Sequence, residues 1–252
     1  MSPLSSSTLF HFTSSRENLI SILATEFSPR FSFEEFTGAI GEGSGTAEFA
    51  VGIPMVCFCD IPLSLAADHM MVYGRYALGL TKDWGRRLGV APVLYTYPEA
   101  ATTDAVIRLH LTIEVLRGTA DDGAEFSADT ERLICFVKPY EGTLRRIGHQ
   151  EKRVRFYDER EWRYVPPGPW TALERQSFDD PGVRATANEE IGRRSRLRFE
   201  PADIRYIVVA TESEIGPMVS EIRRIKSPKY SSADIDLLCT RIVSARQIAE
   251  DF

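Results

Sequence analysis

Glu159 and Glu161 sit two residues apart in FYDEREWRYVP, flanked by Asp158 and Arg163 and surrounded by Phe156, Tyr157, Trp162 and Tyr164. On a strand, residues two apart share a face. The spacing therefore predicts both carboxylates on one side, with Arg160 and Trp162 on the other. Like charges repel, and each favours a nearby cation. A carboxylate kept beside that much aromatic surface can stabilise a cation that develops in a substrate. The plainer use is a surface strand with cross-strand ion pairs, which are weak and common.

Two other groups carry similar chemistry. His11 lies between Phe10 and Phe12 in LFHFT, with Thr13 leading into a helix. It is either a core histidine or an imidazole that orients a ligand at a strand end. In DHMMVYGRYALGL, Asp68, His69, Tyr73 and Tyr76 surround a helix-to-strand junction, and Gly74 permits a tight exit from the helix. Rings there could stack on a flat heterocycle or simply border a core. Cys57, Cys59, Cys135 and Cys239 form no CxxC pair and lack further ligands at zinc-like spacing, so no metal is expected. They read as small hydrophobes in a reducing cytosol.

The elements that must position these groups are mixed. The chain has 252 residues, 43% hydrophobic and 26% charged, enough for a substantial core without disulfides. The net charge of −6 disfavours a large non-specific nucleic-acid footprint. A basic stripe, LRRIGHQEKRVR at 144–155, could supply a local one or be a solvated loop. No apolar run has the length of a membrane span, and MSPLSSST lacks a signal peptide's apolar core. A cytoplasmic location is expected.

LFHFT reads as a strand, and Ser14 and Glu17 are spaced as a capping box for a helix to about Ala24. The Gly-rich stretch 37–52 reads as a long flexible loop of the kind that forms lids, without the GK[ST] of a phosphate loop. Further strands are expected at 53–62, 75–81, 92–97, 132–140 and 153–166, with helices at 63–74, around 83–89 and at 99–117. Beyond a Pro- and charge-rich loop at 167–195 come two short strands in 196–211, a helix kinked at Pro217, and a helix–strand–helix tail from 231. Strands and helices do not alternate regularly, which argues for an α+β fold. One domain over 1–252 is expected, with a loop insertion at 167–195.

In chain order, a histidine in an early strand, a tyrosine at a helix–strand junction and a glutamate in a late ExE triplet resemble the ADP-ribosyltransferase fold. LFHFT, PMVCFCDIPLS, YGRYALGLTKDWG, PVLY, ICFVKPYEG and DEREWRYVP, over about 9–210, are together similar to the AbiGi family of abortive phage-infection proteins. That family is itself distantly similar to DarT-like ADP-ribosyltransferases.

These resemblances imply a split mixed or antiparallel β-sheet core with flanking helices, and NAD as substrate. Glu161 would support the ribosyl cation, with Glu159 upstream of it. His11, Thr13, Tyr73, Tyr76, Arg75 and Lys82 would bind the cofactor, with Arg75, Lys82 and Lys138 as candidates for the charge of its pyrophosphate. The product would be ADP-ribose on a protein, DNA or RNA acceptor, or cleaved NAD. They equally imply a non-catalytic antitoxin of a two-gene abortive-infection system, partnered by a nucleotidyltransferase-like toxin.

Overall fold

The computed structural model describes residues 5–39, 45–97, 100–116, 123–144 and 151–251. In chain order come β1 (Thr8–Thr13), α1 (Arg16–Thr25), β2 (Arg30–Ala39), β3 (Thr46–Cys59), α2 (Ala66–Tyr73), β4 (Tyr76–Thr81) and α3 (Lys82–Arg87). There follow β5 (Ala91–Pro92), β6 (Leu94–Thr96), α4 (Ala101–Leu116), α5 (Gly123–Ile134), β7 (Val137–Pro139), β8 (Gly142–Leu144), β9 (Lys152–Val154) and β10 (Glu161–Tyr164). The last third holds α6 (Arg175–Asp179), α7 (Pro181–Arg194), β11 (Ile204–Val209), α8 (Ile215–Lys226), α9 (Ser232–Cys239), β12 (Ile242–Ser244) and α10 (Ala245–Asp251). The class is α+β, with a mixed sheet and flanking helices, as expected.

The chain divides into two compact units, each assembled from separated segments. Unit 1 holds Met1–Ser28, Val56–Ala91 and Ser195–Phe252. Its strands run in the order β12-β11-β4-β1-β3, parallel between β11 and β12 and antiparallel elsewhere. β4 is central: Ala77, Leu78, Gly79 and Leu80 are all buried, as a strand covered on both faces requires. Successive side chains of β1 alternate between those faces. Phe10 joins Ala66 and Met70 of α2, Ala245 and Ile248 of α10, and Ala77 and Val208 of the sheet. On the other face lie Phe27, Phe58, Trp84 and Phe199, ring against ring.

Local signals explain much of unit 1. Ser15, one residue later than expected, caps α1 by accepting from the Asn18 amide at 3.2 Å. α1 has no basic residue in its last turn, and the buried Lys226 of α8 supplies one by donating to the Leu23 carbonyl at 2.7 Å. Gly74 ends α2 with φ +112°. A Cβ there would lie 2.2 Å from the Thr13 carbonyl oxygen, so only glycine fits between the helix exit and β1. Pro217, expected to kink α8, falls in its first turn, where no intrahelical amide is lost.

Unit 2 holds Pro29–Met55 and Pro92–Arg194. Three sequence expectations change here. Much of the supposed loop at 37–52 is strand: β2 and β3 pair antiparallel from Arg30↔Met55 to Ala39↔Thr46, and residues 40–44 lie outside those described. Residues 132–134 close α5, so the strand expected over 132–140 is only β7, which pairs parallel with β6. Within the supposed loop at 167–195, α6 and α7 are helices. Of the basic stripe, Leu144 ends β8 and Lys152–Val154 form β9, which pairs antiparallel with β8, and residues 145–150 lie outside those described.

Candidate functional site

The strand expected over 153–166 is broken. β9 ends at Val154, a 3-10 turn covers Phe156–Glu159, Arg160 takes a left-handed conformation with φ 44°, and β10 starts at Glu161. Glu159 and Glu161 therefore do not share a strand face by alternation. They meet through a common cation instead. Lys138 of β7 donates to Glu159 Oε2 at 3.0 Å and to Glu161 Oε2.

Around them is a buried charge cluster within unit 2. Arg163, two residues along β10, has no solvent exposure. Its Nε donates to Glu161 Oε1 at 2.8 Å, its Nη2 to Glu34 of β2 at 3.0 Å, and its Nη1 to the Cys135 carbonyl at 2.7 Å. The Glu161 amide donates to the Tyr95 hydroxyl at 2.8 Å, and its carbonyl accepts from Val93 at 3.1 Å. Both oxygens of Glu161 are thus occupied by cations, and its backbone is pinned to β6 and the residue before it.

The electrostatics follow from burial. Three carboxylates meet two cations, Lys138 and Arg163. Burial raises the pKa of Glu34, although Arg163 and Lys138 pull it down. Burial disfavours the Lys138 ammonium, but Glu161, Glu159 and Glu34 outweigh that and raise its pKa well above the usual lysine value. Burial also pushes the Cys135 thiol up to about 11, which leaves it inert as a nucleophile.

The expected cofactor residues His11, Thr13, Tyr73, Tyr76, Arg75 and Lys82 lie in unit 1, whereas Lys138, the third pyrophosphate candidate, lies in unit 2. Nδ1 of His11 donates to the Cys57 carbonyl at 2.8 Å, because a carbonyl can only accept. Its ring meets Phe27 at 5.1 Å and Phe58 at 5.8 Å, both edge-on. Tyr73 stacks on His69 at 4.3 Å, and His69 meets Phe12 at 4.8 Å. Since His11 and Phe12 are neighbours on a strand, His11 and the His69–Tyr73 stack occupy opposite faces of β1.

Thr13 and Tyr76 are register partners between β1 and β4. The Tyr76 hydroxyl donates to Glu214 at 3.1 Å, and Arg75 is exposed. Lys82 pairs with Asp60 at 2.6 Å and donates to Ser5 at 2.7 Å. Among the described residues, no group of three or more His, Cys, Asp or Glu could hold a metal ion, and no helix is long and apolar enough to cross a membrane.

His11 makes the fold sensitive to acid. Burial lowers its pKa from 6.5, only partly offset by the bond to Cys57. The folded form holds the neutral ring, so stability is fully present above the unfolded value. It is lost as pH falls below that value, because the unfolded chain takes up a proton that the folded chain refuses. Melts between about pH 8 and pH 5 should show a steeper fall in Tm for the wild type than for His11→Gln. Equal slopes would place the sensitivity elsewhere.

Sequence reasoning missed Glu34. The signal was present in RFSFEEF: two adjacent acids in an alternating strand must point opposite ways, so one faces inward. It also saw Arg163 only as a flanking residue, although Arg163 holds the cluster together.

Comparison with known proteins places this α+β chain among the proteins of abortive phage resistance. Residues 38–210 match the family model described as "Putative abortive phage resistance protein AbiGi, antitoxin". The chain belongs to the AbiGi family. A relative from Lactococcus lactis subsp. cremoris, "Abortive phage resistance protein AbiGi", is 28% identical over 228 residues, covering 79% of this chain and 89% of the relative. No solved structure matches the chain.

Proposed function

We propose that this protein is an antitoxin of an abortive-infection system, a non-catalytic protein that binds and restrains a toxin partner. The observation that carries the reading is the occupation of Glu161. Its two oxygens face Arg163 and Lys138, so the carboxylate neutralises charges of its own protein. A carboxylate that stabilises a substrate cation must strengthen its interactions as that cation forms, and one already locked to two cations has little left to give. His11 points the same way: one ring nitrogen is spent on a backbone carbonyl and two phenylalanine edges close on the ring. The antitoxin in the family description agrees with this use of the chain.

The competing reading is an ADP-ribosyltransferase that uses NAD, with the roles set out above for Glu161, Glu159, His11, Thr13, Tyr73, Tyr76, Arg75 and Lys82. One paired experiment separates them. The product of each neighbouring gene is expressed with and without the protein to find a toxin that it restrains, and the purified protein is incubated with labelled NAD and lysate. The antitoxin reading expects restored growth, a co-purifying complex and no label transfer. Label on protein, DNA or RNA with the wild type, lost in Glu159→Gln at the edge of the cluster, would replace it with the transferase.

A further inference from the structure

Unit 2 carries a feature that the buried cluster does not use. Tyr97, just after β6, stacks on Tyr140, just after β7, with centroids 4.9 Å apart and planes 29° apart. Tyr140 stacks in turn on Tyr157 of the 3-10 turn at 5.1 Å and 21°. Three phenol rings thus form one column. Tyr95 meets Tyr157 edge-on at 5.2 Å, on the side where its hydroxyl also accepts from Glu161.

The column is held by backbone. The Tyr140 amide donates to the Thr96 carbonyl at 2.8 Å, and the Tyr157 amide to the Tyr140 carbonyl at 3.1 Å. Its two end rings are nonetheless open to solvent, Tyr97 and Tyr157 each 46% exposed. A core aromatic cluster hides its end members. This one is tied by backbone hydrogen bonds at its base and leaves both end residues about half exposed.

Arginine–carboxylate pairs lie beside the hydroxyls of Tyr97 and Tyr140. Glu141 accepts from Arg153 of β9 at 2.6 Å and lies close enough to the Tyr97 hydroxyl to add to the rise that burial gives its pKa. Arg155 bonds Asp158 through Nε and reaches the Tyr140 hydroxyl. Lys152 is exposed on the same hairpin. The arginine ion pairs are solvent-exposed, so they are weak. A phosphate, which a guanidinium grips by two parallel bonds, can displace a carboxylate there. Ring faces for bases with guanidinium groups along one edge for phosphates are the parts from which single-strand sites are built. A duplex offers no free base faces to such a column.

We propose that the Tyr97–Tyr140–Tyr157 column, with Arg153 and Arg155 along its hydroxyl edge, binds single-stranded nucleic acid by base stacking and phosphate contact. The proposal does not rest on the antitoxin reading, because its residues are not those of the buried charge cluster.

The test is fluorescence anisotropy of the whole protein with labelled oligo(dT) and oligo(rU) of about ten nucleotides, the span of one small single-strand site. Binding to either strand is expected at about 50 mM salt, weakening steeply toward about 200 mM. Tyr97→Ala and Tyr157→Ala should each weaken it by about 5- to 150-fold, the loss of one stacked base. Arg153→Gln, on a side chain too exposed to disturb folding, should reduce the slope of log affinity against log salt by about 0.7. Any of three results overturns the proposal: no binding to either oligonucleotide at low salt, tyrosine variants that fold and bind like the wild type, or a proline-rich peptide that binds the column when the oligonucleotides do not.

Discussion

Replacing Arg163 with methionine is expected to cost about 3–5 kcal/mol of stability, the loss seen when one member of a buried ion pair is removed. For a chain of this size that is a fall in Tm of about 6–20 °C. The side chain fits, so the cause is electrostatic. Glu161 and Glu34 lose the guanidinium that separates them, the Cys135 carbonyl loses its donor, and Lys138 is left to face three carboxylates. Adding Glu34→Gln to that variant removes one of the stranded charges and should recover part of the loss. Arg155→Met, which breaks an exposed pair, should cost under about 1 kcal/mol. Chemical denaturation of the four proteins decides it. An Arg163→Met variant as stable as the wild type would mean that the cluster is hydrated and not a structural knot.

Phe27→Ala should have an effect of similar size in unit 1, about 3–5 kcal/mol. Phe27 is 2% exposed, and its ring touches those of His11, Phe58, Trp84 and Phe199. Its backbone also exchanges two hydrogen bonds with Leu197, at 3.3 and 3.0 Å. Removing the ring opens a cavity beside His11 and admits water to the imidazole. The acid sensitivity predicted for His11 should then shrink along with the stability, because burial is its main cause. Phe27→Leu keeps most of the volume and should lose much less. A Phe27→Ala protein with unchanged stability but altered ligand binding would instead mark this ring as a pocket wall.

The parts of unit 1 legible in the sequence are those that local chemistry decides. β1, α2, β4 and the tail of α9, β12 and α10 follow from apolar period, caps and glycine exits. Unit 2 was less legible because its elements depend on distant partners. TGAIGEGSGTAEFAVG contains the composition of a loop, yet Phe49 and Val51 pair with Phe36 and Glu34 across a long antiparallel register. The apolar run at 133–137 fits a helix end as well as a strand, since period cannot separate the two over so few residues. The break at Arg160 has no sequence mark, for arginine is not a residue that favours φ above zero. The acids at 159 and 161 were visible as chemistry. Their neutralisation was not, because Lys138 comes from another strand, and Arg163 is turned inward by partners distant in the chain, Glu34 and the Cys135 carbonyl.

The segment order of unit 1 has a consequence during synthesis. β4 ends at Thr81, but its sheet neighbour β11 begins only at Ile204, and β12 follows at Ile242. A nascent chain that has already delivered every segment of unit 2 still exposes one edge of β4, with Ala77 and Leu78 waiting for Val208 and Ile207. An unpaired apolar strand edge is what proteases and aggregation act upon. A chain cut short before Ile204 therefore leaves unit 1 unable to close.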